Sequence, residues 1–130
     1  MEDQSLSNQN QTMYEYIGKE KLEELVDTFY SYVSKHERLA PIFPGDWEET
    51  ARKQKLFLTQ FLGGPQYYSM ERGHPRMRAR HLPFPITIEL AHDWLDCMSN
   101  AMDDVDLDEE IKEPLLQHLR NVAYHMVNQE

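Results

Sequence analysis

The chain has 130 residues, of which 40% are hydrophobic and 28% charged, a balance typical of one globular domain. Its formal charge of −10 argues against nucleic acid and anionic membranes as partners, because both repel an acidic protein. A single cysteine cannot form an internal disulfide, and the lack of a signal peptide and of a membrane-length apolar run predicts a cytoplasmic protein.

The first third of the chain predicts a disordered segment, a short helix and one strongly amphipathic helix. Residues 1–11 are polar and featureless, which predicts a disordered segment before a single domain over residues 12–130. Residues 13–17 predict a short helix that Gly18 ends. Apolar residues then recur three and four positions apart, which predicts a second helix with one continuous buried face. They are Leu22, Leu25, Val26, Phe29, Tyr30 and Val33.

A corner and a long helix follow. Residues 39–44 contain two prolines and predict a tight, non-helical corner. Asp46 is a suitable N-cap for the next helix, and Glu49 stands three residues later, as in a capping box. The helix should run to about Leu62, because the sequence at 63–65, Gly-Gly-Pro, is a strong stop.

The next segment is irregular. Residues 63–75 hold three glycines, two prolines and two tyrosines, and predict either a long ordered loop or a degraded helix. So long a stretch without regular structure in a small domain is more often functional than idle. A short helical turn over residues 76–81 follows, and Pro83 and Pro85 stop it.

Two helices complete the predicted fold, over residues 87–103 and near 108–128. Pro114 should make the last helix start or kink at that point, since proline lacks the N–H of a helix interior. The apolar face of this helix consists of Ile111, Leu115, Leu119, Val122 and Met126. No segment alternates with a period of two, so the predicted class is all-α.

Three polar side chains lie on apolar helix faces: Tyr30, Gln54 and Trp94. Each can donate a hydrogen bond, and burying such a donor without a partner costs roughly 1–3 kcal/mol. A buried tyrosine or tryptophan is commonly a core residue whose polar end reaches water or a carbonyl. The alternative is that all three face one cavity and bind an acceptor that is not protein.

His81 is the most unusual of the six histidines. It lies at a helix end that is followed at once by apolar, proline-locked chain, and Arg78 and Arg80 should disfavour its protonation. No histidine pair has the spacing of a zinc site. Because a lone histidine is more often structural than a ligand, the residue pattern alone leaves the role of His81 open.

Seven short motifs occur in the order and spacing of the group II truncated haemoglobins of bacilli, and the chain resembles this family over residues 13–129. The motifs are FY at 29–30, PIFP at 41–44, ETARKQK at 49–55, FLGGP at 61–65, GHPRMRARHLPFPIT at 73–87, AHDWLDCM at 91–98 and HMVNQ at 125–129. The resemblance implies a truncated globin fold, which is a two-over-two helical sandwich around one haem b.

The resemblance also implies roles for individual residues. It makes His81 the proximal iron ligand, for which a neutral imidazole is required. It further implies contacts with the haem and its propionates, among which Arg80 is a better propionate partner than Arg78. These residues are Phe43, Lys53, Leu58, Tyr68, Met77, Arg78, Arg80, Phe84 and Trp94.

On the other haem face, the resemblance implies a ligand site of Tyr30, Thr50, Gln54 and Trp94. Tyr30 and Trp94 would be the strong donors, Gln54 would assist them, and the short Thr50 would leave access open. Donors in a low-dielectric pocket stabilise a ligand with partial negative charge, so tight O2 binding and slow release are expected. Phe43 stands where some members carry a tyrosine, which removes one possible donor.

The leading hypothesis is therefore a haem protein that binds O2 at ferrous iron for scavenging or redox chemistry, rather than for oxygen transport and delivery. CO and NO are expected ligands, peroxide and sulfide are further candidates, and an unidentified reductase is the expected partner. An enzymatic alternative is peroxidase-like oxidation or nitric-oxide dioxygenation. The alternative of another class is a haem-free helical interaction module.

Overall fold

A computed structural model describes residues 12–129, excepting the side chains of Met77 and Arg78. Residues 1–11, for which disorder was predicted, lie outside the described residues. Within that range the chain forms seven α-helices and one short 3-10 helix and no β-strand, which confirms the all-α class. The elements are α1 (Met13–Ile17), α2 (Lys19–Val33), the 3-10 helix (Ala40–Ile42), α3 (Trp47–Phe61), α4 (Tyr67–Arg72), α5 (Met77–His81), α6 (Ile88–Asp104) and α7 (Glu109–His125).

Capping side chains mark where the long helices begin, and a glycine follows the end of α3. Asp46 Oδ1 accepts a hydrogen bond from Glu49 N–H at 3.1 Å, as expected for the N-cap of α3. Thr87 Oγ1 accepts from Leu90 N–H at 3.1 Å and caps α6 in the same way. Beyond the end of α3, Gly63 has φ of 95°, a left-handed conformation that favours glycine. These local signals set where the long helices can face one another.

The four long helices form two packed pairs. Helix α2 packs on α3, α6 packs on α7, and contact between α2 and α6 joins the pairs. This is the predicted two-over-two sandwich. Most of the large, fully buried side chains lie on the apolar stripes of these helices, and Leu39 in the corner joins them: Leu22, Leu25, Val26, Phe29, Val33, Leu58, Met98, Met102, Leu115 and Leu119. None of the helices in residues 12–129 is long and apolar enough to cross a membrane.

Cys97 is buried in this core. Burial raises the pKa of its thiol to about 11, with a smaller contribution from the negative charge of Asp93. The thiol is therefore protonated at neutral pH, and it packs as a small apolar group.

The irregular segment after α3 contains more structure than a loop. Its central residues form α4, which the carboxamide of Gln60 holds at the end of α3. Gln60 Nε2 donates to Ser69 Oγ at 2.8 Å, and Gln60 Oε1 accepts from Ser69 N–H at 2.9 Å. Of the two alternatives that the sequence left open, the short helix is the correct one.

Of the two outcomes predicted at Pro114, a helix start there is wrong. Helix α7 begins at Glu109, where Asp108 caps it, and it runs through Pro114 rather than starting there. The hydrogen bond that proline cannot donate would have reached the carbonyl of Glu110. Both residues are exposed, so water can satisfy that carbonyl and the helix continues.

Candidate functional site

One cleft brings together the polar residues that stand out in the sequence. It encloses about 770 Å³ of space between atoms, part of it open to solvent. Its wall contains Tyr30 from α2, Gln54 from α3, Trp94 from α6 and His81 from the end of α5. The other lining residues are apolar, so these four side chains supply the chemistry of the cleft.

The hydroxyl group of Tyr30 is buried without a protein acceptor. The residue is 7% exposed, and its hydroxyl forms no hydrogen bond with any of the described residues. Edge-to-face contacts with Phe29 and Phe43, at 4.8 and 5.9 Å between ring centroids, fix the ring. Burial raises the pKa of Tyr30 well above its ordinary value. The group is therefore a protonated donor whose orientation is fixed.

Trp94 and Gln54 repeat this pattern. Phe29 and Trp94 pack edge to face, with 4.9 Å between their ring centroids, and this contact holds the indole at the cleft wall. Among side chains in the described ranges, neither the indole N–H nor the Gln54 carboxamide has a hydrogen-bond partner. Three donors thus line one cleft that is otherwise largely apolar, where a donor without an acceptor is costly.

His81 enters the cleft from a braced segment. It is the last residue of α5, it is half-buried, and it lines the cleft. The guanidinium of the preceding Arg80 donates to the backbone carbonyls of Arg72, His74 and Pro75. These bonds tie the end of α5 to the end of α4 and to the link between the two helices, so the backbone around His81 is held in place.

The predicted haem contacts divide into two groups. Phe43 and Trp94 line the cleft beside His81. The others with a described side chain stand outside the lining: Lys53, Leu58, Tyr68, Arg80 and Phe84. Thr50, which was predicted for the ligand site, does not line the cleft either. Leu58 and Tyr68 are buried in the core, whereas Phe84 is 41% exposed. The side chains of Met77 and Arg78 lie outside the described residues.

Most of the apolar lining was assigned by sequence to the core or to no role. These residues are Leu39, Ile42, Phe57, Ile86, Leu90, Ala91, Leu119, Val122, Ala123 and Met126. Several belong to helical stripes that the apolar spacing did identify, such as Leu119, Val122 and Met126 on α7. The stripe is the available signal, but it cannot distinguish a wall that faces another helix from one that faces a cleft.

The donor set of this cleft fits a haem. A porphyrin needs apolar walls, its iron needs a neutral nitrogen ligand, and a small ligand on the iron accepts hydrogen bonds. The cleft offers one imidazole, three donors without a protein acceptor in residues 12–129, and an otherwise apolar lining. Fold and cleft together define an all-α protein of the haem-binding class.

Comparison with known proteins leads to the same class. The bacterial-like globin family matches residues 12–128. Group 2 truncated hemoglobin YjbI of Bacillus subtilis is 62% identical over 116 residues, which are 89% of this chain and 88% of that protein. The chain belongs to the bacterial-like globin family and is a truncated haemoglobin of group II.

Solved structures agree with this assignment. The truncated oxygen-avid haemoglobin of Bacillus subtilis aligns with a TM-score of 0.88 at 61% identity, covering 90% of this chain and 99% of that one. The group II truncated hemoglobin of Bacillus anthracis gives a TM-score of 0.89 at 58% identity, covering 91% and 92%. The predicted truncated globin fold is confirmed, and membership of the family implies a haem cofactor.

Proposed function

We propose that this chain holds haem b through His81 and binds O2 at ferrous iron with high affinity and slow release. The observation that supports this is the cleft in which Tyr30, Gln54 and Trp94 have no protein acceptor among the described residues. Donors fixed in a low-dielectric site need no reorganisation when a polarised ligand arrives, and water competes with them poorly. The arrangement is therefore suited to a small ligand that carries partial negative charge.

The residues of the chain have separate tasks in this proposal. Haem, when bound, supplies an iron that coordinates a diatomic ligand reversibly. His81 offers the imidazole that holds the iron, and apolar side chains such as Leu90 and Met126 exclude water. Tyr30 and Trp94 donate to the ligand, with Gln54 assisting. Thr50 is half-buried and is proposed to leave access open.

The propionates have fewer candidate partners than the sequence suggested. The Arg80 guanidinium already donates to three carbonyls of the preceding segment, so a propionate would have to compete for it. Lys53 is half-buried, and its ammonium group has no partner within the described part of the chain, so it remains a proposed contact. The guanidinium carbon of Arg80 lies 5.7 Å from the centroid of the Tyr68 ring, so Tyr68 would act by holding the Arg80 side chain in place.

Slow release follows from the number of donors. A hydrogen bond to a charged partner contributes roughly 1.5–3 kcal/mol, and each 1.4 kcal/mol is about a tenfold change in an equilibrium constant. Two or three such bonds would slow release by orders of magnitude, which favours scavenging or redox chemistry over oxygen transport. The Bacillus subtilis relative of known structure is itself described as oxygen-avid.

The same site bears on the enzymatic alternative. Tyr30 and Trp94 are oxidisable, but His81 is the only histidine or carboxylate among the described lining residues. With His81 assigned to the iron, no second group is available there for the acid–base steps of a peroxidase. Enzymatic turnover of peroxide or nitric oxide therefore stays a prediction. The same holds for sulfide binding, a reductase partner and a cytoplasmic location.

The visible spectrum of the purified protein tests the proposal. We expect haem absorption that shifts when the reduced protein meets O2 or CO, and loss of haem in His81→Gly, with recovery when free imidazole is added. His118→Ala is the control, because His118 is exposed on α7 and does not line the cleft. An unaltered haem spectrum in His81→Gly without imidazole would remove His81 as the ligand.

A further inference from the structure

The C-terminal tail returns to the segment that follows His81. After α7 ends, Asn128 N–H and Gln129 N–H both donate to the carbonyl of Ile86, at 2.9 and 3.1 Å. Met126 and Ile86 are both buried and both line the cleft. The end of the motif at 125–129, of which only Met126 has a role in the proposed function, therefore closes one part of the cleft wall.

The side chain of Asn128 makes the main connection. Its Nδ2 donates to the carbonyl of His81 at 3.3 Å and to the carbonyl of Phe84 at 3.0 Å. Its Oδ1 accepts from Ile86 N–H at 3.0 Å. The half-buried carboxamide of Asn128 thus both donates to and accepts from main-chain groups of one short segment, residues 81–86.

The sequence of this segment explains why an external donor is needed. Carbonyl groups at the end of a helix require donors from the residues that follow, but Pro83 and Pro85 have no N–H. Phe84 N–H supplies one local bond, to the carbonyl of His81 at 2.9 Å. Asn128 gives the carbonyl of His81 a second donor. It also donates to the carbonyl of Phe84, to which neither of the two neighbouring prolines can donate.

We propose that Asn128 is a positioning residue for the haem ligand, because its carboxamide holds the backbone from which the His81 imidazole extends. The proposal rests on the proposed role of His81 as the iron ligand. A histidine side chain has few rotatable bonds, so a shift of its main chain changes the reach and tilt of the imidazole. Groups that orient a metal ligand in this way typically alter metal affinity or activity by roughly 10–100-fold when removed.

Two substitutions separate the bonds of Asn128. Asn128→Ala removes all three side-chain bonds and keeps the main-chain bond to the carbonyl of Ile86. Asn128→Asp keeps an oxygen that can accept from Ile86 N–H, but its carboxylate cannot donate to the carbonyls of His81 and Phe84. Gln129→Ala is the matched control, because Gln129 is the exposed neighbour and its side chain bonds to none of the described residues.

The experiment uses the haem-loaded protein. In the ferrous state, the iron–histidine stretching band in the resonance Raman spectrum should shift in Asn128→Ala and in Asn128→Asp, and haem loss to an acceptor apoglobin should become roughly tenfold faster. Gln129→Ala should match the wild type in both measurements. An unmoved band in either Asn128 variant overturns the positioning role, since a change in fold stability alone would not shift that band.

Two further results keep the interpretations apart. If the wild type shows no iron–histidine band, the proposed role of His81 fails, and the inference about Asn128 fails with it. If the band is present and the Asn128 variants leave it in place, only the positioning role fails.

Amide exchange of Ile86 in the haem-free protein should accelerate in Asn128→Ala and not in Asn128→Asp. Equal acceleration in both variants would contradict the assigned bond to Oδ1.

Discussion

At the scale of single residues, the cleft contains hydrogen-bond donors where an apolar core would carry none. The Tyr30 hydroxyl is placed on a stripe whose other members are fully buried aliphatic and aromatic side chains. A phenylalanine would fill the same space without leaving a donor unsatisfied within the described residues. The hydroxyl is therefore best explained by a ligand that accepts from it.

Removing that hydroxyl should accelerate O2 release. We expect Tyr30→Phe to raise the release rate about tenfold or more, since one hydrogen bond to a charged partner is lost. Stopped-flow measurement on the oxygenated protein checks the rate. Tyr67→Phe is the matched control, because Tyr67 is 50% exposed and does not line the cleft. Equal release rates in Tyr30→Phe and the wild type would contradict the donor role.

Trp94→Phe extends the same prediction to a pair. If the hydroxyl and the indole N–H donate to one ligand, the effects of the two substitutions should not add, because loss of one donor changes the bond made by the other. The double variant therefore measures a coupling energy. Strictly additive effects would indicate that the two donors do not share a ligand.

At the scale of elements, an ion pair joins the corner after α2 to α6. Arg38 Nε and Nη2 donate to the two carboxylate oxygens of Asp93, each at 2.8 Å. Asp93 is 7% exposed and immediately precedes Trp94, while Leu39 in the cleft wall follows Arg38. The pair thus connects two parts of the cleft that the helix stripes alone would not hold together.

The pH dependence of stability should report this pair. Hydrogen bonds from Arg38 lower the pKa of Asp93 below its ordinary value. The carboxylate therefore stabilises the fold fully above about pH 4, the ordinary range for aspartate, and this stabilisation is lost as the pH falls through the lowered pKa. We expect Asp93→Asn to reduce the free energy of unfolding at pH 7 by on the order of 1 kcal/mol, since the exposed Arg38 side chain is screened by solvent.

Urea unfolding at pH 7 and near pH 3 measures the effect. The difference between Asp93→Asn and the wild type should shrink at the lower pH, because the carboxyl group of the unfolded chain then binds a proton and the unfolded state is favoured. Asp96→Asn serves as the control, since Asp96 is exposed on the same helix. A difference that is as large at pH 3 as at pH 7 would contradict the ion-pair explanation.

At the scale of the whole molecule, the two helix pairs meet around the cleft instead of closing on each other. Apolar side chains from α3, α6 and α7 face this cleft, which is partly open to solvent. Apolar surface that is left facing solvent stabilises nothing until a guest covers it. The fold is therefore expected to depend on its cofactor for part of its stability.

Removing haem should lower the melting temperature. A ligand that binds only the folded chain stabilises it by mass action, by about 2.7 kcal/mol at one hundred times its dissociation constant. Calorimetry of the protein with and without haem measures the shift. Hydrogen exchange should then accelerate first at the cleft, for example at Ile86, and last at core positions such as Leu25. Identical melting with and without haem would favour the haem-free interaction module.

Much of this architecture follows from short-range sequence signals. The long helices, the corner and the all-α class depend on apolar spacing of three and four residues, on N-caps such as Asp46 and on glycine or proline stops. Tyr30, Gln54, Trp94 and His81 could be selected because each is a polar group in a position where a helix face should be apolar. These features are local, so one sequence is enough to predict them.

Only the tertiary structure decided which distant groups meet. Arg38 and Asp93 are 55 positions apart, and Asn128 and His81 are 47 apart, and no periodicity relates the members of either pair. The sequence likewise could not show that the guanidinium of Arg80, a predicted propionate partner, bonds the carbonyls of its own segment. Helical spacing identifies the face that is buried, whereas packing determines whether another helix, a distant side chain or an open cleft lies against that face.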